Sequence, residues 1–234
     1  MTNRLLTMHP VTGIAWLLAA LAPIATSGLG VAVAADAPAA PQGPPAGQYK
    51  LDKGHANLSF RVNHLGFSSY TTRFSRFDAQ LSFDPANLTA AKVSTTIDAS
   101  SIELENALAM CEGIVHGPQF LDTAKYPEIT FRSEKVRVKG PNSLEIIGTL
   151  NLHGVTRPVV LDTKFNGGYA GHAGDDPQAR VGFSAHGSLK RSDFGMAFAI
   201  PAPGSKFGVG DTVDISIEAE FVGPPLQAAP SSSP

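Results

Sequence analysis

Cysteine is nearly absent from this sequence, since only one of the 234 residues, Cys111, is a cysteine. A disulfide requires two cysteines, so none can form within the chain. No two histidines stand at His-x-x-x-His spacing, and no Cys-x-x-Cys pair occurs. Because local metal sites are built from such spacings, we predict neither a metal site nor a cofactor.

Runs of basic residues are also absent. The chain carries 18 Lys and Arg against 20 Asp and Glu, which gives a net charge of −2 at neutral pH. Proteins that bind nucleic acid concentrate Lys and Arg on one surface to neutralise phosphates. The composition therefore predicts that nucleic acid is not a partner.

Arrangements typical of catalysis are missing as well. Gly182-Phe-Ser184-Ala-His186 nearly matches a nucleophile elbow, but that motif needs a strand-to-helix turn, and the residues here alternate as in a continuing strand. Glu103 and Glu105 are two residues apart, so on a helix they would not face each other. We predict that they are solvated charges and that the protein has no catalytic residues and is not an enzyme.

The N-terminal segment has the features of a secretory signal peptide. Residues 1–35 combine an apolar core at 14–25 with an Ala32-x-Ala34 cleavage site. The alternative is an uncleaved membrane anchor, because residues 11–35 carry no charge. We expect cleavage, and we expect the protein to be periplasmic, because a secreted chain without disulfides fits a bacterial periplasm.

Proline and alanine mark the ends of the folded part. Residues 36–48 predict a Pro/Ala linker, and residues 224–234 predict a disordered tail, because neither segment can bury a core. Between them, residues 49–223 predict one domain, large enough for a single buried core or for a barrel with a cavity.

Period-two alternation of apolar residues dominates this domain. In residues 144–165, two alternating runs flank a short connection that contains glycine, which predicts an antiparallel hairpin. Similar patterns occur at 49–51, 58–64, 77–83, 93–97, 129–131, 181–189 and 213–221. About eight amphipathic strands of this kind predict an all-β barrel or sandwich.

One region departs from alternation. Residues 103–112 predict a short helix that ends near Gly113 or Gly117, and residues 118–124 predict a second helical turn.

The apolar face of each strand predicts which side chains point inward, because successive residues of a strand face opposite sides of the sheet. The predicted inward-facing and ligand-binding residues are Phe60, Val62, Leu81, Phe83, Val93, Ile97, Phe131, Leu150, Leu152, Phe183, Ile215 and Ile217.

A set of motifs in a fixed order resembles a known bacterial family. They are Tyr49-Lys-Leu-Asp52, His55-Ala-Asn-Leu-Ser-Phe-Arg-Val-Asn-His64-Leu-Gly66, Phe83-Asp-Pro85-Ala-Asn-Leu88, Phe120-Leu-Asp122-Thr-Ala-Lys-Tyr126-Pro127, Gly148-Thr-Leu150-Asn-Leu-His153-Gly154-Val-Thr156-Arg-Pro158-Val159, Arg191-Ser-Asp193-Phe194-Gly195 and Val209-Gly210-Asp211-Thr-Val213. Together they resemble the YceI-like family, also described as periplasmic polyisoprenoid-binding or lipid-binding proteins.

The resemblance implies an eight-stranded antiparallel, lipocalin-like barrel with a short helical insertion. It also implies an apolar lumen that holds an isoprenoid or other lipid-like molecule, such as a polyprenyl chain or the tail of a quinone. The expected role is a periplasmic carrier or storage protein. Some members of the family form dimers, so the resemblance also implies that this protein can form a homodimer.

The chain departs from the family at one place. Where the family usually has Arg-Asp-x-His-Leu, residues 110–117 read Met-Cys-Glu-Gly-Ile-Val-His-Gly and lack the charged pair.

The sequence is also compatible with two other functions. One is an enzyme that acts on an isoprenoid or lipid, with His64 or His153 as candidate catalytic residues. The other is an interaction module whose barrel core is filled by its own side chains, because a small eight-stranded barrel can be either packed or hollow.

Overall fold

A computed structural model describes residues 43–105 and 108–226 of the chain. The predicted signal peptide and most of the predicted linker and tail lie outside these residues and stay predictions. Within the described ranges, no helix has both the length and the apolar character needed to cross a bilayer.

Nine antiparallel strands and one α-helix make up the described fold. The strands are β1 (Gly47–His64), β2 (Ser68–Phe74), β3 (Phe77–Phe83), β4 (Lys92–Asp98), β5 (Glu128–Gly140), β6 (Ser143–Leu152), β7 (Val155–Tyr169), β8 (Gln178–Lys190) and β9 (Val209–Pro225), and helix α1 is Ala109–His116. Single 3₁₀ turns lie at Leu88–Ala90, Ala99–Ser101 and Arg191–Phe194.

The strands close into a barrel with eight positions. Strands β3 to β9 pair in chain order, and β1 closes the ring by pairing with both β3 and β9. Strands β2 and β3 share one position, because β2 pairs with residues 58–64 of β1 and β3 pairs with residues 47–50. The predicted eight-stranded antiparallel barrel is therefore confirmed.

The predicted hairpin is strands β6 and β7. Leu152 pairs with Val155 across a two-residue turn, His153-Gly154, in which both residues have positive φ values of 53° and 74°. Two-residue hairpins favour this geometry because its twist matches that of the strands. The imidazole Nδ1 of His153 lies 3.0 Å from the carbonyl oxygen of Phe194 and so ties the turn to the 3₁₀ turn after β8. Ser184 lies within β8, as the alternation predicted.

The helix prediction was displaced along the chain. Helix α1 spans Ala109–His116 rather than 103–112, because the start of the predicted segment extends the sheet instead. Ile102 bridges to Phe74, and the Glu103 amide donates to the carbonyl oxygen of Arg73 at 2.9 Å. These contacts cover the outer edge of β2, which satisfies backbone groups that would otherwise be unpaired.

The predicted helical turn at 118–124 is a series of hydrogen-bonded turns. The Phe120 amide donates to the carbonyl of Gly117 at 3.1 Å, and the Tyr126 amide donates to that of Asp122 at 2.8 Å. The barrel also extends two residues beyond each predicted domain boundary, since β1 begins at Gly47 and β9 ends at Pro225. Pro225 pairs with Gln178, so the start of the predicted tail belongs to the sheet.

Aromatic side chains pack tightly at one end of the barrel. The ring centroids of Phe83 lie 5.9 Å from Tyr49, 5.5 Å from Phe165 and 5.9 Å from Phe183. Tyr49 is only 1% exposed, and its hydroxyl donates to the carbonyl of Pro45 at 2.6 Å. We call Tyr49, Phe83, Phe165 and Phe183 the aromatic plug, because they close this end of the lumen.

Candidate functional site: the barrel lumen

The lumen contains two chambers. The large chamber has a volume of about 620 Å³ and lies beneath helix α1, and the small chamber has a volume of about 160 Å³ and lies next to the aromatic plug. Leu58, Ile97, Leu150 and Ile215 line both chambers. These four residues, the shared ring, mark where the two chambers meet. The volume of the large chamber falls within the range of about 300–1,000 Å³ that is typical of small-molecule sites.

The structure places all twelve predicted inward-facing side chains on the chamber walls. Phe60, Val62 and Leu152 line the large chamber, Ile97, Leu150 and Ile215 line both, and Leu81, Phe83, Val93, Phe131, Phe183 and Ile217 line the small chamber. Their role in ligand binding stays a prediction.

Exposed apolar side chains surround the open end of the large chamber. Leu108, Tyr70 and Phe198 line the chamber and are at the same time exposed to solvent. Phe67 and Phe207 are 80% and 74% exposed, and their rings meet edge to face at 6.4 Å. Exposed apolar side chains of this kind offer a hydrophobic molecule a surface to contact at the entrance to the lumen.

The sequence that forms these chambers is similar to known proteins. Residues 49–221 match the YceI-like domain family. The chain belongs to the YceI-like family. It is 36% identical over 181 residues to a UPF0312 protein of Vibrio cholerae, an alignment that covers 76% of this chain and 88% of that protein.

Solved structures share the fold. A Campylobacter jejuni YCEI protein superposes with a TM-score of 0.58 at 29% identity, covering 69% of this chain and 90% of that one. A domain of Saccharophagus degradans, described as polyisoprenoid-binding and implicated in plant cell wall breakdown, superposes with a TM-score of 0.51 at 19% identity, covering 75% and 98% of the two chains. This last likeness shows the fold alone.

In this YceI-like chain, the departure at residues 110–117 covers most of helix α1. Cys111, Ile114 and Val115 of the helix line the large chamber. The sequence of this segment differs from the family pattern, but that difference does not predict that the helix lines the lumen. A pattern search cannot find such residues, because they come from a segment that crosses the barrel end rather than from an alternating strand.

Arg191 is a buried charged residue among the lining residues that the alternation did not predict. Its side chain is 3% exposed, and it lines the large chamber. Its guanidinium donates to the carbonyl oxygens of Gly210 at 2.9 Å, Met196 at 2.7 Å and Val209 at 2.7 Å. Burial lowers the pKa of Arg191 from its ordinary value, while the carboxylate of Asp211 acts in the opposite direction.

The two histidines considered as catalytic candidates do not come together on the lumen. His64 lines the large chamber at the end of β1 and is exposed. His153 is not among the residues lining either chamber, and its Nε2 is buried without a hydrogen-bond partner among the described residues. The YceI-like lumen therefore does not bring these two imidazoles to one reacting position.

A group of charged residues lies on the outside of the barrel near the aromatic plug. One ligand atom each from Asp52, His55 and Glu220 lies within 4.8 Å of the others, a spacing that a metal ion could use. However, the Arg180 Nη1 already lies 2.5 Å from Asp52 and 3.6 Å from Glu220, and Arg180 also pairs with Asp176. The guanidinium supplies the positive charge that these carboxylates face, so the arrangement is that of an ion-pair network.

Proposed function

We propose that this protein binds one long apolar molecule, an isoprenoid or other lipid, in the barrel lumen and carries or stores it without converting it. The observation that carries the proposal is the pair of adjacent, apolar chambers that share four wall residues. A polyprenyl chain or a quinone tail is thin and flexible enough to occupy the large chamber and extend past the shared ring into the small one.

The energetics favour a long chain. Each buried methylene contributes about 0.8 kcal/mol, so affinity grows with chain length even where polar contacts are few. Burial in the lumen also costs little protein reorganisation, because the strands that form the walls are held by continuous hydrogen-bonded pairing around the barrel.

The resemblance to the Saccharophagus degradans domain supports this proposal. That protein is described as polyisoprenoid-binding, and this chain shares its fold. The open volume of the large chamber argues against the interaction module with a filled core. The separation of His64 from His153 argues against an enzyme that uses both.

We further propose that the protein works in the periplasm after removal of residues 1–35, and that a homodimer is its expected assembly. The support is the signal-peptide pattern and the family resemblance. N-terminal sequencing of protein from the periplasm tests the first part: a first residue near 35 or 36 is expected, and Met1 would contradict it.

Mass spectrometry of an organic extract tests binding itself. The full chain is expressed with its leader, purified folded from the periplasm without detergent and extracted with organic solvent. The extract is expected to contain a long-chain isoprenoid or lipid in near-stoichiometric amount. An extract without such a molecule, together with no uptake of added polyprenol by the same protein, would contradict the proposal.

A further inference from the structure

A buried positive charge lies on the wall of an otherwise apolar chamber. Arg191 lines the large chamber with only 3% of its surface exposed, and an arginine stays protonated in proteins. The guanidinium carbon lies 5.2 Å from the centroid of the Phe120 ring, which lines the same chamber. The aromatic ring and three carbonyls therefore fix the position of the cation.

The hydrogen bonds of Arg191 are incomplete. A guanidinium has five N–H groups, and three of them donate to the carbonyls of Gly210, Met196 and Val209. Each terminal nitrogen keeps one N–H for which residues 43–105 and 108–226 supply no acceptor. Such an N–H can donate a charge-assisted hydrogen bond to an oxygen of a carboxylate or phosphate.

The charge of Arg191 is also not neutralised by direct contact. No salt bridge of the described part of the chain includes Arg191, and Asp211 accepts instead from the amide and the hydroxyl of Ser192 at 2.9 and 2.8 Å. The other titratable side chains on the chamber wall, His64, Tyr70, Glu105 and Cys111, are exposed to solvent. A buried charge that no carboxylate contacts directly is costly, so an anion that reaches it is stabilised.

We propose that Arg191 forms a subsite for the anionic head of an amphiphile, a carboxylate or phosphate at the end of an apolar chain. This inference rests on the proposed function, because the chain of the same molecule fills the lumen. It narrows the ligand from any lipid to one whose acidic end lies beside Arg191 and Phe120.

Three amphiphiles that share a twelve-carbon chain and differ in their polar head group test the subsite. Calorimetric titration of the purified, delipidated full chain compares dodecanoate, dodecanol and dodecylamine at about pH 8, where the carboxylate is ionised. We expect dodecanoate to bind at least about tenfold more tightly than dodecanol, and dodecylamine to bind most weakly. Sodium acetate, which has the head without the chain, is expected to show no measurable binding.

Variants assign the preference to Arg191. Arg191→Met is expected to remove the preference for dodecanoate and leave dodecanol binding within about twofold. Arg157→Met is the matched control, because Arg157 is a nearby exposed arginine that donates to the Asp193 carbonyl at 3.2 Å and is not among the chamber-lining residues. If Arg191→Met does not fold, the NMR resonance of the Arg191 Nε–H in the wild type tests the subsite instead. This resonance is expected to shift when dodecanoate binds and not when dodecanol binds.

The outcomes separate the two proposals. Equal affinity for dodecanoate and dodecanol, or an Arg191 resonance that dodecanoate leaves unchanged, would overturn the subsite while lumen binding stands. Acetate binding as tight as dodecanoate binding would also overturn it, because the site would then take a free anion. Failure of all three amphiphiles to bind would contradict the proposed function itself.

Discussion

At the scale of single residues, backbone conformation explains why glycine occupies the β6–β7 turn. Gly154 has a φ of 74°, and a side chain there would meet the ring of Tyr126. The left-handed region costs an L-residue about 1–2 kcal/mol, and the contact with Tyr126 adds to that cost. The glycine is therefore required by the turn and by its neighbour.

A pair of alanine substitutions tests this account. Gly154→Ala is expected to lower the free energy of unfolding by more than about 1–2 kcal/mol, because the contact with the Tyr126 ring adds to the cost of the backbone conformation. Gly113→Ala is the control, because Gly113 lies in helix α1 with open space around it, and alanine there is expected to add about 0.5–1 kcal/mol. Urea unfolding followed by circular dichroism measures both, and equal stability of the two variants would contradict the account.

A second residue-scale prediction concerns acid stability. The hydrogen bond from Arg180, and next the one from His55, lowers the pKa of Asp52 to about 2. A carboxyl whose pKa is depressed by folding stabilises the native state above its unfolded pKa, and this contribution is lost as the pH falls through the folded value. The stabilisation by Asp52 is thus present at neutral pH and disappears towards pH 2.

The comparison of Asp52→Asn with the wild type measures this contribution. The wild type is expected to be the more stable near neutral pH, and the difference in unfolding free energy is expected to shrink between about pH 4 and pH 2. Asp78→Asn is the matched control, because Asp78 forms an exposed pair with Lys53 at 2.8 Å, and such pairs contribute little. A difference for Asp52→Asn that does not change with pH would show that the network does not depend on this charge.

At the scale of secondary-structure elements, helix α1 forms part of the chamber wall through Cys111, the single cysteine of the chain. A ligand in the large chamber is expected to slow the reaction of Cys111 with a thiol reagent several-fold. Met110→Cys in a Cys111→Ser background is the control, because Met110 is exposed and does not line the chamber. If bound lipid left the rate at Cys111 unchanged, the helix would not lie over the occupied part of the lumen.

The elements also show what the sequence can and cannot predict. Alternation predicted most of the strands and the inward faces of the twelve named residues, because a half-buried strand repeats every two residues whatever its partners are. It did not predict β2, and it predicted the two parts of β1, 49–51 and 58–64, as separate runs. The helix was predicted too early in the chain because Ile102 and Glu103 pair with β2. No local sequence pattern encodes this contact between distant segments. Arg191 was missed for the same reason, since its three carbonyl partners lie 5 to 19 residues away along the chain.

At the scale of the whole molecule, closure of the barrel produces the site. The strand that is broken into β2 and β3 and the pairing of β1 with β9 close the wall, and the aromatic plug fills one end. The opposite end stays open beneath α1 and is bordered by apolar side chains. A chain-like apolar ligand can therefore enter at one end and extend towards the other.

The measurement that tests lumen binding most directly is the lipid content of folded Leu150→Arg protein. Leu150 belongs to the shared ring, so an unpaired charge there blocks both chambers and is costly for an apolar ligand. Val160→Arg controls for the added charge, because Val160 lies on β7 with 45% exposure. His64→Ala and His153→Ala test the alternative that the protein is an enzyme, because these two histidines are the candidate catalytic residues. Both variants are expected to keep nearly all of the lipid.

Each variant is first checked for native circular dichroism, and its organic extract is then quantified by mass spectrometry. We predict that Leu150→Arg loses the bound lipid while Val160→Arg and both histidine variants retain it. Retention of the lipid by folded Leu150→Arg at the wild-type level would contradict binding in the lumen.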